Sequence, residues 1–309
     1  MSANKSHIYG PVPSRRLGFS LGIDLVPYKT CSYDCIYCQL GKTTNKTIER
    51  KEYVPKDAVL SQLEGILKTN HAIDYITFSG SGEPTLNSSL GELLKEIKKM
   101  TNIKIAVLTN ASLLSDPGLR TELLPADLVV PSLDAASSET FSRINRPHSA
   151  VEFDRMVTGL LKFREEFKGD IWLEVMFIKE INDNIKEIGL LNSIISKINP
   201  NRIQLNTVVR PPTEKYCHPI NESELQRIKI SFGKNCEIIP EFKAKAKRPC
   251  PEDIEKQILE LVRRRPSTLL DISTCLGIHP NEAIKWLSQL QKENKIRYVE
   301  YRNKGYYQL

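Results

Sequence analysis

The chain has 309 residues, 40% of them hydrophobic and 26% charged, the balance of an ordinary globular protein. That length exceeds what one hydrophobic core usually serves, so a large domain with a small appendage is expected. The net charge of +7 is uneven, since residues 243–309 hold 14 Lys and Arg against 8 Asp and Glu, and this basic end suits either an acidic partner, nucleic acid being the commonest, or a solvated basic surface.

No apolar run approaches the ~20 residues that span a bilayer. The opening Met-Ser-Ala-Asn-Lys-Ser-His lacks the apolar stretch of a secretory signal. A membrane protein and a secreted disulfide framework are thereby excluded as expectations, and a soluble, cytoplasmic chain with reduced thiols is expected.

In chain order, the segment 9–18 reads Tyr-Gly-Pro-Val-Pro-Ser-Arg-Arg-Leu-Gly. Its adjacent Arg15 and Arg16 suit a substrate phosphate or carboxylate, or a surface ion pair. Short β-branched runs then predict strands over 21–26, 75–79, 103–109, 128–133, 171–178 and 203–208. Helical periodicity predicts helices over 55–68, 88–100, 117–124, 149–167 and 184–197. Six such repeats imply a parallel α/β sheet, and both a curved partial TIM-like barrel and a flat doubly wound sheet fit it. The glycine-rich and polar segments nearly all follow a strand directly, which is the edge where these folds build their sites.

After Arg210-Pro211-Pro212 a short helix is predicted from Glu222, then a basic linker over 243–249. Helices over 252–264, 268–276 and 280–293 and a hairpin over 296–301 and 305–309, turning at 303–305, predict a winged helix-turn-helix. The expected divisions are 1–210, 211–249 and 250–309.

Cys31-Ser-Tyr-Asp-Cys35-Ile-Tyr-Cys38 places three thiols within eight residues. A zinc site would want a fourth Cys or His nearby, whereas three thiolates leave one iron of a four-iron cluster open to an external ligand. Cys217, Cys236 and Cys250 are far apart and read as buried or free thiols, with a second cluster as the alternative, and Cys275 reads as core. No Walker, Rossmann or H-E-x-x-H pattern occurs, so kinase, nicotinamide and zinc-protease readings have no support.

The C-x3-C-x2-C spacing, with Tyr37 before the third cysteine, resembles the signature of the radical S-adenosylmethionine (SAM) superfamily, over roughly residues 9–210. The resemblance implies a partial (βα)6 TIM-like barrel and a 4Fe-4S cluster on Cys31, Cys35 and Cys38. It also implies SAM as cosubstrate, reductively cleaved to a 5′-deoxyadenosyl radical that abstracts a substrate hydrogen, with an electron donor such as flavodoxin or ferredoxin. Oxygen sensitivity goes with it. Gly80, Ser81, Gly82 and Glu83 resemble the family's glycine-glycine-glutamate segment for the methionyl amine, with Ser81 in place of the first glycine. Ser132 and Asp134 resemble its ribose-contacting position, and Asn110, Arg143, Glu174, Met176 and Asn206 are candidate pocket residues. The N-terminal segment also resembles iron-sulfur oxidoreductases loosely related to the wyosine-forming tRNA enzymes. RNA is accordingly the first substrate expectation, a protein or peptide the second and a small metabolite the third. The alternative is an iron-sulfur, redox-sensing transcription regulator reading DNA through its third helix, which offers only a modest set for it, Asn281, Lys285, Gln289 and Lys292 mixed with acidic residues. A protein-binding module would instead use an aromatic patch such as Trp286, Tyr306 and Tyr307.

Overall fold

Strands buried on both faces read as continuous apolar runs, and the central strands here are buried along nearly their whole length. The computed structural model describes residues 6–68, 72–239 and 253–309. The chain opens with an antiparallel pair, β1 (Ile8–Ser14) and β2 (Gly18–Ile23). Two short strands, β3 (Thr30–Cys31) and β4 (Asn45–Lys46), pair with each other and enclose the cysteine loop. Helices and strands then alternate through α1 (Lys56–Leu67), β5 (Tyr75–Phe78), α2 (Leu90–Met100), β6 (Lys104–Thr109), α3 (Pro117–Leu123) and β7 (Leu128–Pro131). Next come α4 (Ser138–Asn145), α5 (Phe153–Glu166), β8 (Asp170–Phe177), α6 (Ile185–Ile198), β9 (Arg202–Thr207), α7 (Glu222–Phe232) and β10 (Cys236–Ile238).

The long strands form one eight-stranded sheet in the order β1-β2-β5-β6-β7-β8-β9-β10, parallel except for β1. This is the expected α/β arrangement with two strands more than the six predicted. β1 carries two prolines and a glycine, which it tolerates as the edge strand of the sheet. β10 is three residues long and closes the opposite edge against β9. The helix expected over 149–167 is α5, and α4 is an additional helix before it, ended by Arg146 in a left-handed conformation (φ 43°). One core cluster, from Ile8 to Cys236, fills the space between sheet and helices, with Phe163 and Phe167 stacked at 4.9 Å within it.

The C-terminal residues form α8 (Ile254–Arg264), α9 (Leu269–Leu276), α10 (Pro280–Lys292), β11 (Arg297–Tyr301) and β12 (Lys304–Gln308). Thr268 and Asp271 make a capping box at the start of α9, and Gly277 ends it in the left-handed region (φ 66°). The hairpin turns at Arg302 and Asn303 (φ 52° and 58°), not at 303–305, since Tyr301 pairs with Lys304. Ile258, Leu261, Ile272, Leu276, Leu287 and Leu290 give this unit a core of its own.

The unit is seated on the sheet edge that carries the site. Tyr301 Oη donates to the Val208 carbonyl at 3.1 Å and Tyr306 Oη to that of Val209 at 3.0 Å. Arg210 Nε donates to the Pro266 carbonyl at 3.1 Å, and the Arg264 guanidinium lies 3.9 Å over the Tyr9 ring. The aromatic patch expected for protein binding is therefore not a free surface: Tyr306 is buried and Trp286 and Tyr307 pack on the unit's own core. Among the described residues no helix is long and apolar enough to cross a membrane. The expected basic linker over 243–249, and Cys250, lie outside the described residues.

Candidate functional site

A cavity of about 1010 Å³ opens at the ends of the parallel strands, between the sheet and the C-terminal unit. The loop after β2 delivers Cys31, Cys35 and Cys38 to one wall of it, and the turn after β5 delivers Gly80, Ser81, Gly82 and Glu83 to the next. The two segments are locked together by backbone bonds: Lys29 N donates to the Ser81 carbonyl at 2.7 Å, and Glu83 N to the Thr30 carbonyl at 3.1 Å. That contact explains Gly82, since a Cβ there would lie 1.8 Å from the Thr30 carbonyl oxygen, backbone that cannot yield. It also accounts for the serine at 81, whose hydroxyl bonds Asp24 at 2.5 Å while its backbone N–H donates to the same carboxylate at 3.0 Å.

Each thiol has one side-chain donor. Lys29 Nζ donates to Cys38 Sγ at 3.2 Å, Asn110 Nδ2 to Cys31 Sγ at 3.5 Å and Asn145 Nδ2 to Cys35 Sγ at 3.5 Å. Burial, and next the Glu83 carboxylate, push the Cys31 thiol up to about 12, and burial followed by Cys31 and Asp134 raises Cys35 well above the ordinary thiol range. Thiols in such surroundings ionise only when strong positive charge is bound to them, which is what a metal centre provides. Among the described residues no three His, Cys, Asp or Glu side chains converge on a single ion, so the thiols are not set as ligands of one zinc. Three half-buried thiols, one N–H donor apiece and a cavity beside them fit a polynuclear iron-sulfur cluster.

Glu83 is placed as expected but its carboxylate is occupied. It accepts from Thr85 Oγ1 at 2.6 Å, Thr109 Oγ1 at 2.7 Å and Asn110 N at 2.7 Å, and burial nonetheless raises its pKa. It therefore braces the strand ends around Asn110. Asp134 does not line the cavity; it sits behind Tyr37, accepting from Tyr37 Oη at 2.6 Å, Asn145 Nδ2 at 2.8 Å and Met176 N at 3.0 Å. Burial lifts its pKa to about 6. It orients Tyr37 and the Cys35 donor at once.

Ser132, Glu174, Met176 and Asn206 line the cavity. Glu174 is ion-paired with Arg16 and accepts from Asn206 Nδ2 at 2.9 Å. Burial acts to raise its pKa, but Arg16, Asn206 and Arg15 outweigh that and leave it lowered. Arg143 is the exception among the expected pocket residues: it is exposed on the last turn of α4 and does not line the cavity. The helix that carries it was not foreseen, and its inward face is Phe141, Ile144 and Asn145.

Sequence reasoning passed over Lys29, Asn145 and Asp24. Only Lys29 gave a local signal, a lysine two residues before the first cysteine. Cys217 and Cys236 are buried in two different clusters, each pushed up to about 12 chiefly by burial, and the structure does not bring them together. Cys275 lies in the core of the C-terminal unit, as expected.

The Radical SAM superfamily profile matches residues 25–191. The chain is 42% identical over 293 residues to a protein named GTPase Obg from Brachyspira hyodysenteriae, covering 94% of this chain but only 43% of that protein. It is 37% identical over 306 residues to a UPF0026 protein from Methanocaldococcus jannaschii, covering 97% of this chain and 94% of the relative. In fold it resembles TYW1 bearing a lysine-pyruvate adduct (TM-score 0.54, 17% identity, 72% of this chain and 75% of that one). It likewise resembles a radical SAM methyltransferase from Sphaerobacter thermophilus (TM-score 0.54, 15% identity, 71% of this chain and 65% of that one). The thiol trio, the segment bonded to it and these matches lead to one assignment: the chain belongs to the radical SAM superfamily and, within it, to the UPF0026 family.

Proposed function

We propose that the chain is a radical SAM enzyme acting on a nucleotide unit of RNA that a C-terminal winged helix helps to present. The observation that carries the reading is the cavity itself, which has the three thiols on one wall and side chains of the C-terminal unit on another. When bound, a 4Fe-4S cluster on Cys31, Cys35 and Cys38, together with SAM, supplies reductive cleavage of the sulfonium and a 5′-deoxyadenosyl radical that takes a substrate hydrogen. Lys29, Asn110 and Asn145 hold the three sulfurs in place through their N–H groups. Gly80 to Glu83 offer the cosubstrate a wall of small residues, and Ser132, Asn110 and Asn206 offer it polar atoms. The C-terminal unit covers the cavity and keeps water and solvent hydrogen donors from it. An electron reaches the site from a donor such as flavodoxin or ferredoxin, in the cytoplasm, and the enzyme is oxygen-sensitive.

The three-helix and hairpin order of residues 253–309, with a core of its own, supports the winged-helix reading and a domain boundary in the stretch after residue 239. Asn281, Lys285, Gln289 and Lys292 are exposed along α10, which supports contact with an acidic partner. The redox-sensing regulator has no support in the family to which the chain belongs.

Single-stranded RNA is expected to bind with an affinity that falls steeply with salt. Lys285→Glu with Lys292→Glu is expected to weaken it about tenfold at moderate salt and to flatten the log–log salt slope by about one. Fluorescence anisotropy measures both. Affinity and slope that match the unaltered chain would remove α10 from the RNA surface.

A further inference from the structure

Five arginines line the upper part of the cavity, and they come from three separate parts of the chain. Arg15 and Arg16 lie in the turn between β1 and β2, Arg210 just beyond β9, and Arg264 and Arg265 at the end of α8. Arg16 is paired with Glu174, Arg210 approaches Asp271 at 3.8 Å, and Arg264 approaches Glu260 at 3.6 Å. Those pairings leave capacity over. Arg15 makes no hydrogen bond or ion pair among the described residues. The Nε atoms of Arg264 and Arg265 are buried and unpartnered, and Arg265 otherwise reaches only the weak acceptor Cys275 Sγ, at 3.6 Å. Leaving buried donors of a charged group unpaired costs stability, so a fold that keeps several together around a cavity is completed by an anion.

We infer that Arg15, Arg210, Arg264 and Arg265 form a phosphate-binding subsite that anchors a phosphoryl group of the substrate. Guanidinium forks match the oxygens of phosphate, and donors converging from three elements suit a group with three or four oxygens better than a planar carboxylate. The electrostatics agree. Burial, then Arg210 and Arg16, lower Arg15 to about 10, and burial and Arg265 lower Arg210 as well, a like-charge strain that a bound dianion relieves. The cavity's 1010 Å³ has room for two ligands, a cosubstrate near the thiols and a substrate of mononucleotide size reaching to the arginines. The inference rests on reading this cavity as the substrate chamber, but not on RNA being the substrate.

The test uses the full chain carrying its cluster, under anaerobic conditions, with calorimetric titration of pyrophosphate, uridine 5′-monophosphate, uridine and the dinucleoside phosphate UpU. Pyrophosphate and uridine 5′-monophosphate are expected to bind and uridine to bind at least tenfold more weakly. Arg15→Gln and Arg265→Gln, made separately, are each expected to weaken the phosphate ligands about tenfold while leaving SAM affinity unchanged. Arg15→Gln removes an unpaired, half-buried charge, so it is expected to fold and to melt no lower than the unaltered chain in the absence of phosphate. Binding of UpU as tight as that of the monophosphate assigns the subsite to a phosphodiester of RNA. Binding of the monophosphate alone assigns it to a free phosphorylated substrate, which keeps the subsite and discards RNA. Absence of phosphate binding, equal binding of uridine, or affinities that survive both substitutions would overturn the inference.

Discussion

The chain carrying Cys31→Ala, Cys35→Ala and Cys38→Ala together is expected to retain none of the ~4 irons that the unaltered chain takes up on anaerobic reconstitution, and none of the ~400 nm absorption of thiolate-bound iron. The three sulfurs stand on one wall of one cavity, and no alternative set exists among the described residues. Cys217 and Cys236 are separated into different cores, so they do not replace the trio. The substitution is expected to spare the fold. Cys31 and Cys35 only border the main core, whose filling from this loop is Tyr33, a residue the substitution leaves in place. Iron analysis beside circular dichroism separates the two effects: a folded chain free of iron is the expected result, and undiminished iron would place the metal elsewhere.

A chain ending at residue 248 is expected to keep its cluster and to cleave SAM, yet to lose coupled turnover of substrate by a hundredfold or more, on the scale that misplacement of a reacting group costs. The two units have separate cores, so the sheet domain does not need the C-terminal unit to fill its interior. What it loses is a wall. Removal takes away Arg264 and Arg265, strips the cover from Tyr9 and Val12, and frees the carbonyls of Val208 and Val209 to water. Water and buffer then reach the chamber, and 5′-deoxyadenosine is expected to form without product. The ratio of 5′-deoxyadenosine to modified substrate, expected to rise on truncation, reports this directly. A truncated chain with an unchanged ratio would show that the C-terminal unit plays no part in the chamber.

What was legible in the sequence was what local chemistry encodes. Ligand spacing within eight residues marked Cys31, Cys35 and Cys38, and β-branched runs marked the six central strands to within three residues at their ends. Two edge strands escaped. β1 contains the prolines and glycine that argue against a strand, and an edge position removes the objection only once the sheet is known. α4 escaped because it is eight residues long and buries only Phe141, Ile144 and Asn145, too short an apolar stripe to mark a helix.

The site shows the same division. Glu83 was recognisable from its motif, but its three donors, Thr85, Thr109 and Asn110, make it a brace, and two of those come from another strand end. Asp134 resembles a ribose contact in the sequence, whereas in the structure it is outside the cavity lining and holds Tyr37, which lines it. Arg15 stands out in the sequence beside Arg16, but Arg210 and Arg265 share no motif with it and meet it only in the folded cavity, from the turn after β1, the segment after β9 and the end of α8.

The most direct test of the account is the fate of SAM on the anaerobically reconstituted, dithionite-reduced chain, followed by liquid chromatography of the products. 5′-Deoxyadenosine and methionine are expected in equal amounts, formed slowly without substrate and not at all by the chain lacking Cys31, Cys35 and Cys38. SAM recovered intact from protein that holds its irons, or cleaved equally well by the cysteine-free variant, would contradict the account.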